Sequence, residues 1–187
     1  MELRYQQLSS VNVESAHEIL RLCGLDMQER LGLNHWVPPY SLEKLRWDAE
    51  NRQVYAVLYA NQVIATFTLG TTLPRSYQKI PAILEMWNIP QPSALYINHL
   101  ALLPSFQGRG LGRQCVQAIE GMGVLQGCEV LRLDAYSKHA GLQIFYPKLG
   151  FRNVGRFSLW SERLGEAETT CYEKRLAPQI RADERHP

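Results

Sequence analysis

Hydrophobic and polar positions in the first third of the chain predict a strand followed by two helices. Residues 2–8 alternate as in a half-buried strand, and the apolar residues of segment 13–23 recur at the spacing of one helical face. Asn12 is the expected N-cap of this first helix, and Gly24 is its expected end. Ser41 is expected to cap a second helix over the residues that follow it.

Two apolar runs then change the period from that of a helix to that of a strand. Residues 53–60 and 63–70 are rich in β-branched and aromatic side chains and flank Asn61 and Gln62, which predicts an antiparallel hairpin. The connection over residues 71–93 contains four prolines and an apolar island that is expected to form a short helix. An ordered connection of this length is usually functional.

The second half of the chain alternates strands and helices. An apolar strand over residues 94–103 precedes a helix that begins near Leu111, and a buried strand over 129–136 precedes a helix that ends at Gly150. Two closing strands are expected over residues 152–160 and 169–176. The tight loop between the apolar strand and its helix carries the first candidate chemistry.

Composition and charge narrow the classes of function. The chain has 187 residues and a formal net charge of +2, and we expect one globular domain over residues 1–176 with a polar tail over 177–187. Such a balanced charge provides no large positive field for nucleic acid. No segment approaches the roughly 20 apolar residues that span a bilayer, and the N-terminus lacks a secretory pattern. We therefore expect a cytoplasmic protein with no nucleic-acid or membrane partner.

The four cysteines form neither a metal pattern nor a disulfide pattern. Cys23, Cys115, Cys128 and Cys171 include no CxxC pair and have no histidine nearby at ligand spacing. We expect buried, reduced thiols and no metal site.

The segment QGRGLG concentrates glycine and arginine between the apolar strand and the following helix. Its spacing matches neither the P-loop nor the dinucleotide fingerprint. Gly108, Gly110 and Gly112 nevertheless let main-chain amides turn toward an anion at a helix N-terminus, where Arg109 and Arg113 add positive charge. The segment is therefore a candidate pyrophosphate site, and the alternative is a tight turn that binds no ligand.

The wider segment LALLPSFQGRGLG resembles the acetyl-CoA-binding motif of the GNAT N-acetyltransferase superfamily, in which Gln107, Gly110 and Gly112 occupy the fixed positions. The later segment LRLDAYSKHAGLQIFYPKLGF is similar to a further strand and helix of that superfamily. Its matching end consists of Phe145, Tyr146, Lys148, Gly150 and Phe151. The two motifs together extend over residues 95–151.

The resemblance implies an α/β (α+β) fold with a mixed, mostly antiparallel sheet flanked by helices, in which two central strands splay apart. It implies that acetyl-CoA lies in that gap, with its pyrophosphate on the glycine turn. The amide of Leu102 or Leu103 would then stabilise the thioester oxyanion. The implied cofactor-binding residues are Leu100, Leu102, Leu103, Gln107, Gly108, Arg109, Gly110, Leu111, Gly112, Arg113, His139 and Tyr146.

Two positions depart from the pattern of the superfamily. His139 stands where many relatives have an asparagine, and it can still donate to a pantetheine carbonyl. Pro147 lies inside the last predicted helix, and a kink there would turn Tyr146 away from the site.

Catalytic roles follow from the same resemblance. Tyr146 matches the tyrosine that commonly protonates the sulfur of coenzyme A, and the alternative is a core tyrosine. Tyr96 stands where some relatives have a glutamate, which leaves the general base open between Glu85 and His99. Strand alternation places His99 on the face opposite Asn98.

These features predict an acyltransferase that moves the acetyl group of acetyl-CoA to a primary amine of a small molecule or peptide. Direct attack in a ternary complex is expected because the motifs offer no cysteine nucleophile. The alternative is a catalytically silent acyl-CoA-binding sensor or regulatory module, and a homodimer is left open. The aromatic content of two segments predicts a partly apolar acceptor, with His35, Trp36, Tyr77, Trp87 and Tyr96 as acceptor-binding residues.

Overall fold

The computed structural model describes residues 2–87, 93–161 and 165–177, which fold around a seven-stranded sheet. The strands are β1 (Arg4–Leu8), β2 (Gln53–Tyr59), β3 (Gln62–Gly70), β4 (Ala94–Leu102), β5 (Val130–Tyr136), β6 (Arg152–Ser161) and β7 (Gly165–Arg175). The helices are α1 (Glu14–Leu31), α2 (Leu42–Asn51), α3 (Pro81–Met86), α4 (Leu111–Leu125) and α5 (Ala140–Lys148), with a short 3₁₀ turn at Pro104–Phe106. None of the helices in these ranges has both the length and the apolar character that crossing a membrane requires.

The sheet has the strand order β1-β2-β3-β4-β5-β7-β6. Among the described strands, β4 and β5 pair in parallel, and every other neighbouring pair is antiparallel. Parallel neighbours need a crossover connection, and α4 provides it here. The expected mixed, mostly antiparallel sheet flanked by helices is confirmed.

Helices cover both faces of the sheet because its strands alternate. On β2, Val54 and Ala56 belong to the apolar cluster of α1 and α2, whereas Val57 belongs to the cluster that includes the buried side chains of α4. The α1–α2 pair and α4 therefore lie on opposite faces of the sheet.

Both predicted ends of α1 were wrong. Asn12 does not cap the helix, because its Oδ1 accepts from the Ser9 amide at 2.7 Å and the N-cap residue is Val13. Gly24 lies inside the helix, which continues to Leu31 and ends at Gly32 in the left-handed conformation. A Cβ at Gly24 would stand 2.7 Å from the carbonyl oxygen of Trp36, so this glycine permits close packing of a loop.

Other predicted elements of the first half are present. Ser41 caps α2, with its Oγ accepting from the Lys44 amide at 3.3 Å. The apolar island forms α3, although residues 88–92 lie outside the described part of the chain, as does most of the predicted polar tail, residues 178–187.

The predicted β2–β3 hairpin is confirmed, with its turn one residue earlier than expected. Ala60 and Asn61 adopt φ of 48° and 65°, and Gln62 already pairs with Tyr59. Positive φ at two central residues is the geometry that matches the twist of a two-residue hairpin.

The parallel pairing of β4 and β5 stops before either strand ends. The ladder finishes where Ile97 lies opposite Leu133, yet β4 continues beside β3 to Leu102 and β5 continues beside β7 to Tyr136. The register with β3 shifts at the same point, where His99 has a φ of 54°. Such an irregularity bends a strand. The splay implied by the resemblance is therefore present.

Candidate active site

A cavity of about 1510 Å³ occupies the gap between β4 and β5. From one face of the sheet it is lined by α4 and α5, and from the other face by α1, α2 and the loop over residues 72–78. We call these its α4 side and its α2 side. A ligand on one side can therefore reach a ligand on the other through the gap in the sheet.

The α4 side contains a turn of main-chain amides. Gly108 and Gly110 have φ of 75° and 77°, and a Cβ on either would meet no atom within 4 Å. Gly110 is the N-cap of α4, and because it is a glycine it has no side chain that could cap the helix. The first amides of α4 have no intrahelical acceptor, and the helix dipole adds positive potential there. An anion is the ligand that suits this arrangement.

The remaining residues of the glycine turn divide into two groups. Gln107, Gly112 and Arg113 line the cavity. Arg109 lies over the Phe106 ring, 5.3 Å from its centroid, and Leu111 packs in the apolar core. Neither Arg109 nor Leu111 lines the cavity.

The free edge of β4 directs one amide into the gap. The Leu103 amide donates to the Ile64 carbonyl of β3 at 2.8 Å. Because amides alternate in direction along an antiparallel ladder, the Leu102 amide points away from β3 and toward the cavity. Leu100 and Leu102 line the cavity, whereas Leu103 does not. Because the Leu103 amide donates to β3, the Leu102 amide remains the candidate oxyanion donor.

Tyr146 lies on α5 at the wall of the cavity with only 5% of its surface exposed. The rings of Phe151 and Tyr172 pack around it at centroid distances of 5.6 and 5.4 Å. Pro147 does not turn Tyr146 away. The helix continues past the proline to Lys148, and Tyr146 still borders the cavity. Burial raises the pKa of Tyr146, and the neighbouring Asp134 raises it further. Its hydroxyl therefore keeps its proton at neutral pH.

Asp134 is an acidic residue of the cavity that the sequence analysis missed. It follows Leu133 on β5, where the gap begins, and its Oδ1 accepts a hydrogen bond from the Tyr77 hydroxyl. Burial raises the pKa of Asp134 to about 7. Its carboxyl group can therefore exchange a proton near neutral pH. The available signal in the sequence was an acidic residue inside a buried strand.

His99 also lines the cavity, although on a face that alternation did not predict. Both Asn98, which accepts from Arg52 Nη1 at 2.7 Å, and His99, whose Nδ1 lies 4.0 Å from Asp48 Oδ2, face the α2 side. The irregularity at His99 is the reason that simple alternation fails. Burial lowers the pKa of His99 to about 4, and Arg52 acts in the same direction, so its imidazole is neutral at neutral pH.

Besides Leu103, Arg109 and Leu111, three further predicted site residues are not brought to the cavity. Glu85 is exposed on α3 and does not line it. Trp87 and Tyr96 are 5% and 1% exposed and pack against each other in the core, with ring centroids 5.4 Å apart. Arg132 Nη1 donates to the Tyr96 hydroxyl at 3.1 Å, so this tyrosine supports the sheet.

The other predicted residues border the cavity. His35 and Trp36 lie in the loop between α1 and α2, and the His35 ring lies 4.3 Å from the ring of Tyr136. His139 is the N-cap of α5, and its Nδ1 accepts from the Leu142 amide at 3.3 Å. The structure thus brings residues of the α1–α2 loop and of α5 to one gap.

The comparison with family models gives the class of the protein. The model of the acetyltransferase (GNAT) family matches residues 17–151. This match covers well over half of the chain, and the chain therefore belongs to the GNAT family, whose members are acyltransferases that use acetyl-CoA. No curated protein matches the chain.

Solved structures with a similar fold are also acetyltransferases. One is a ribosomal-protein-S18-alanine N-acetyltransferase from Escherichia coli, at 14% identity and TM-score 0.68, covering 100% of this chain and 99% of that chain. Another is a probable acetyltransferase from Staphylococcus epidermidis, at 11% identity and TM-score 0.70, covering 94% and 100%. A third is a GNAT family acetyltransferase from Elizabethkingia anophelis with acetyl-CoA bound, at 14% identity and TM-score 0.61, covering 93% and 98%. At identities this low, the structural similarity establishes a common fold and not a common substrate.

Proposed function

We propose that this protein transfers the acetyl group of acetyl-CoA to a primary amine by direct attack in a ternary complex. One observation carries the proposal: a single gap in the sheet connects the amide turn at the start of α4 with Tyr146 and Asp134. The turn suits a diphosphate, and the two side chains suit the proton transfers of aminolysis.

The α4 side supports coenzyme binding. The amides from Gly108 to Arg113 would hold the pyrophosphate, and the cavity edge at Leu100 and Leu102 would hydrogen-bond to the pantetheine arm. Acetyl-CoA, when bound, supplies the thioester. The Leu102 amide is directed into the gap and would stabilise the oxyanion that develops during acyl transfer, an effect of about 3 kcal/mol in other enzymes.

The base is assigned to Asp134. An aliphatic ammonium has a pKa of about 10.4 and must lose a proton before it attacks. Asp134, with its pKa near 7, is a stronger proton acceptor than the buried imidazole of His99, with its pKa near 4. Tyr77 holds this carboxylate in place. Glu85 is not retained, because it is exposed and lies outside the cavity.

The acid is assigned to Tyr146. Asp134 takes one proton from the bound ammonium before attack. The neutral amine then forms the nitrogen–carbon bond, Tyr146 donates its hydroxyl proton to the sulfur as the carbon–sulfur bond breaks, and the second proton lost by nitrogen restores the phenol. The two side chains are close enough for the charge of Asp134 to raise the pKa of Tyr146. Release of the Asp134 proton to solvent would then restore the carboxylate.

The test combines coenzyme binding with turnover. Calorimetry should detect binding of coenzyme A, and coenzyme A release from acetyl-CoA should occur with members of a panel of primary amines. Tyr146→Phe should lower turnover by about a hundred-fold, as expected for loss of a general acid, while coenzyme affinity is retained. Tyr172→Phe is the matched control, because this neighbouring tyrosine packs against Tyr146 outside the cavity lining and should keep turnover.

The outcomes separate two functions. Folded protein that binds no coenzyme A would overturn the proposal altogether. Binding without turnover on any amine would favour a catalytically silent acyl-CoA-binding sensor.

A further inference from the structure

The α2 side of the cavity carries several cations. Lys44 on α2, Arg52 immediately after α2 and Arg75 in the following loop all line it. Arg30 also lines it, but its Nε and Nη2 donate to the carboxylate of Asp26, at 2.7 Å each. The first three cations therefore determine the charge that a ligand meets on this side.

These three cations lack an acidic partner of their own. Within residues 2–87, 93–161 and 165–177, no carboxylate oxygen lies within 4.0 Å of a side-chain nitrogen of Lys44, Arg52 or Arg75. Aromatic rings position two of them. The guanidinium of Arg75 lies 4.4 Å from the ring centroid of Trp47, and Lys44 Nζ lies 6.0 Å from that of Tyr40.

Arg52 is the inner member of the group. Its Nη1 donates to Asn98 Oδ1 at 2.7 Å, and its Nε has no hydrogen-bond partner among the described residues. A Cβ at Gly70 would stand 2.5 Å from Nε, so glycine makes room for the guanidinium. Asp48 is an acid that interacts with Arg52 at a longer distance than an ion pair: burial raises the pKa of Asp48, and Arg52 acts to lower it.

A chain of hydrogen bonds connects this cation to the proposed base. Arg52 donates to Asn98, the amide of Asn98 donates to the Tyr77 hydroxyl at 3.1 Å, and that hydroxyl donates to Asp134. Two side chains thus separate the guanidinium from the carboxyl. This path through two side chains is longer than the two bonds between the amine and the carboxylate of an α-amino acid.

We infer that the acceptor is a small amine that also carries a carboxylate several bonds from its nitrogen, and that Lys44, Arg52 and Arg75 bind the carboxylate. This inference rests on the proposed function and names its substrate class. The amine would lie toward Asp134, at the gap that connects the two sides of the cavity. The aromatic residues Trp36 and Tyr40 border the space between the two ends and suit an apolar spacer.

The test uses two acceptors that differ in one charge. para-Aminomethylbenzoate and para-aminomethylbenzamide present the same amine on the same ring, one with a carboxylate and the other with a carboxamide. At saturating acetyl-CoA, kcat/KM should be about ten-fold higher for the carboxylate, the effect of one charge-assisted hydrogen bond.

Charge-removing variants then locate the effect. Lys44→Gln and Arg75→Gln should each raise KM for the carboxylate toward that of the carboxamide, so that the ratio of the two kcat/KM values falls toward one. Both side chains are exposed, so folding should be unaffected. Lys79→Gln is the matched control, because this exposed lysine of the same connection does not line the cavity.

The outcomes distinguish this inference from the proposed function. Equal kcat/KM for the two acceptors, or acetylation of other amines but of neither member of the pair, overturns the carboxylate subsite and leaves the transferase standing. An equal effect of Lys79→Gln also overturns it, because the preference would then be a general effect of surface charge. Absence of turnover with every amine overturns both.

Discussion

The two sides of the cavity are built from different parts of the chain. The α4 side uses main-chain amides of one continuous turn, residues 107–113, whereas the α2 side collects side chains from the α1–α2 loop, α2, the 72–78 loop and β4. Main-chain groups present the same donors whatever side chains surround them. The α4 side is therefore specified by backbone conformation, and the α2 side by the identity of separate side chains.

The electrostatic character of the two sides differs as well. On the α4 side the positive potential comes from helix amides and from the side chain of Arg113 at the cavity wall. On the α2 side, burial shifts the pKa values of Asp48, Arg52 and His99. Buried charges interact more strongly than solvated ones, so selection among acceptors should depend on the α2 side.

The largest expected fall in turnover comes from a substitution at Asp134, which lies at the gap where the two sides of the cavity meet. Asp134→Asn should lower kcat by about a hundred-fold or more, because the variant cannot accept the amine proton. Coenzyme affinity, which depends on the α4 side, should be unchanged in calorimetry. The melting temperature should not fall, since the amide oxygen can still accept from Tyr77 and a buried carboxyl is removed. Full turnover of Asp134→Asn would remove Asp134 from the mechanism.

A smaller effect is expected at the amide turn. Gly110→Ala places a side chain at a φ of 77°, which costs about 1–2 kcal/mol, and should weaken coenzyme A binding by about ten-fold. Calorimetry measures this affinity.

Gly121→Ala is the control for that variant. Gly121 lies within α4, is not in the left-handed region, and a Cβ there meets no atom within 4 Å. It should stabilise the helix by up to about 1 kcal/mol and leave coenzyme affinity unchanged. Equal affinity for wild type and Gly110→Ala would contradict the role of backbone conformation on this side.

The smallest expected effect is a change in the pH dependence of turnover. Asp134 must be unprotonated to act as a base, so kcat/KM should rise with pH and reach half of its maximum near pH 7. Tyr77→Phe removes a donor to the carboxylate, which disfavours the charged form and should move this midpoint upward by less than about one pH unit.

The control for that shift is Tyr5→Phe. The Tyr5 hydroxyl donates to the Gln114 carbonyl far from Asp134, so its loss should leave the midpoint in place. A midpoint that does not move in Tyr77→Phe would indicate that another group controls the rate.

Sequence patterns predicted the elements better than their ends. The alternation of β2 and β3 and the cap at Ser41 are local features, and the structure has both. The prediction that α1 ends at Gly24 was wrong because a glycine can either end a helix or permit close packing. The loop that packs against Gly24 begins several residues later in the chain, so the local sequence does not show it. The aromatic residues Trp87 and Tyr96 suited a pocket by type, yet both pack in the core.

The amino-acid sequence by itself determined the glycine turn, the strand before it and the helix after it, because those conformations depend on neighbouring residues. Only the tertiary structure decided which distant side chains share the cavity. Asp134 and Tyr77 are far apart in the chain and meet only after β5 and the 72–78 loop pack together. Burial then raises the pKa of Asp134, and no local pattern contains that effect because it depends on surrounding atoms from several elements.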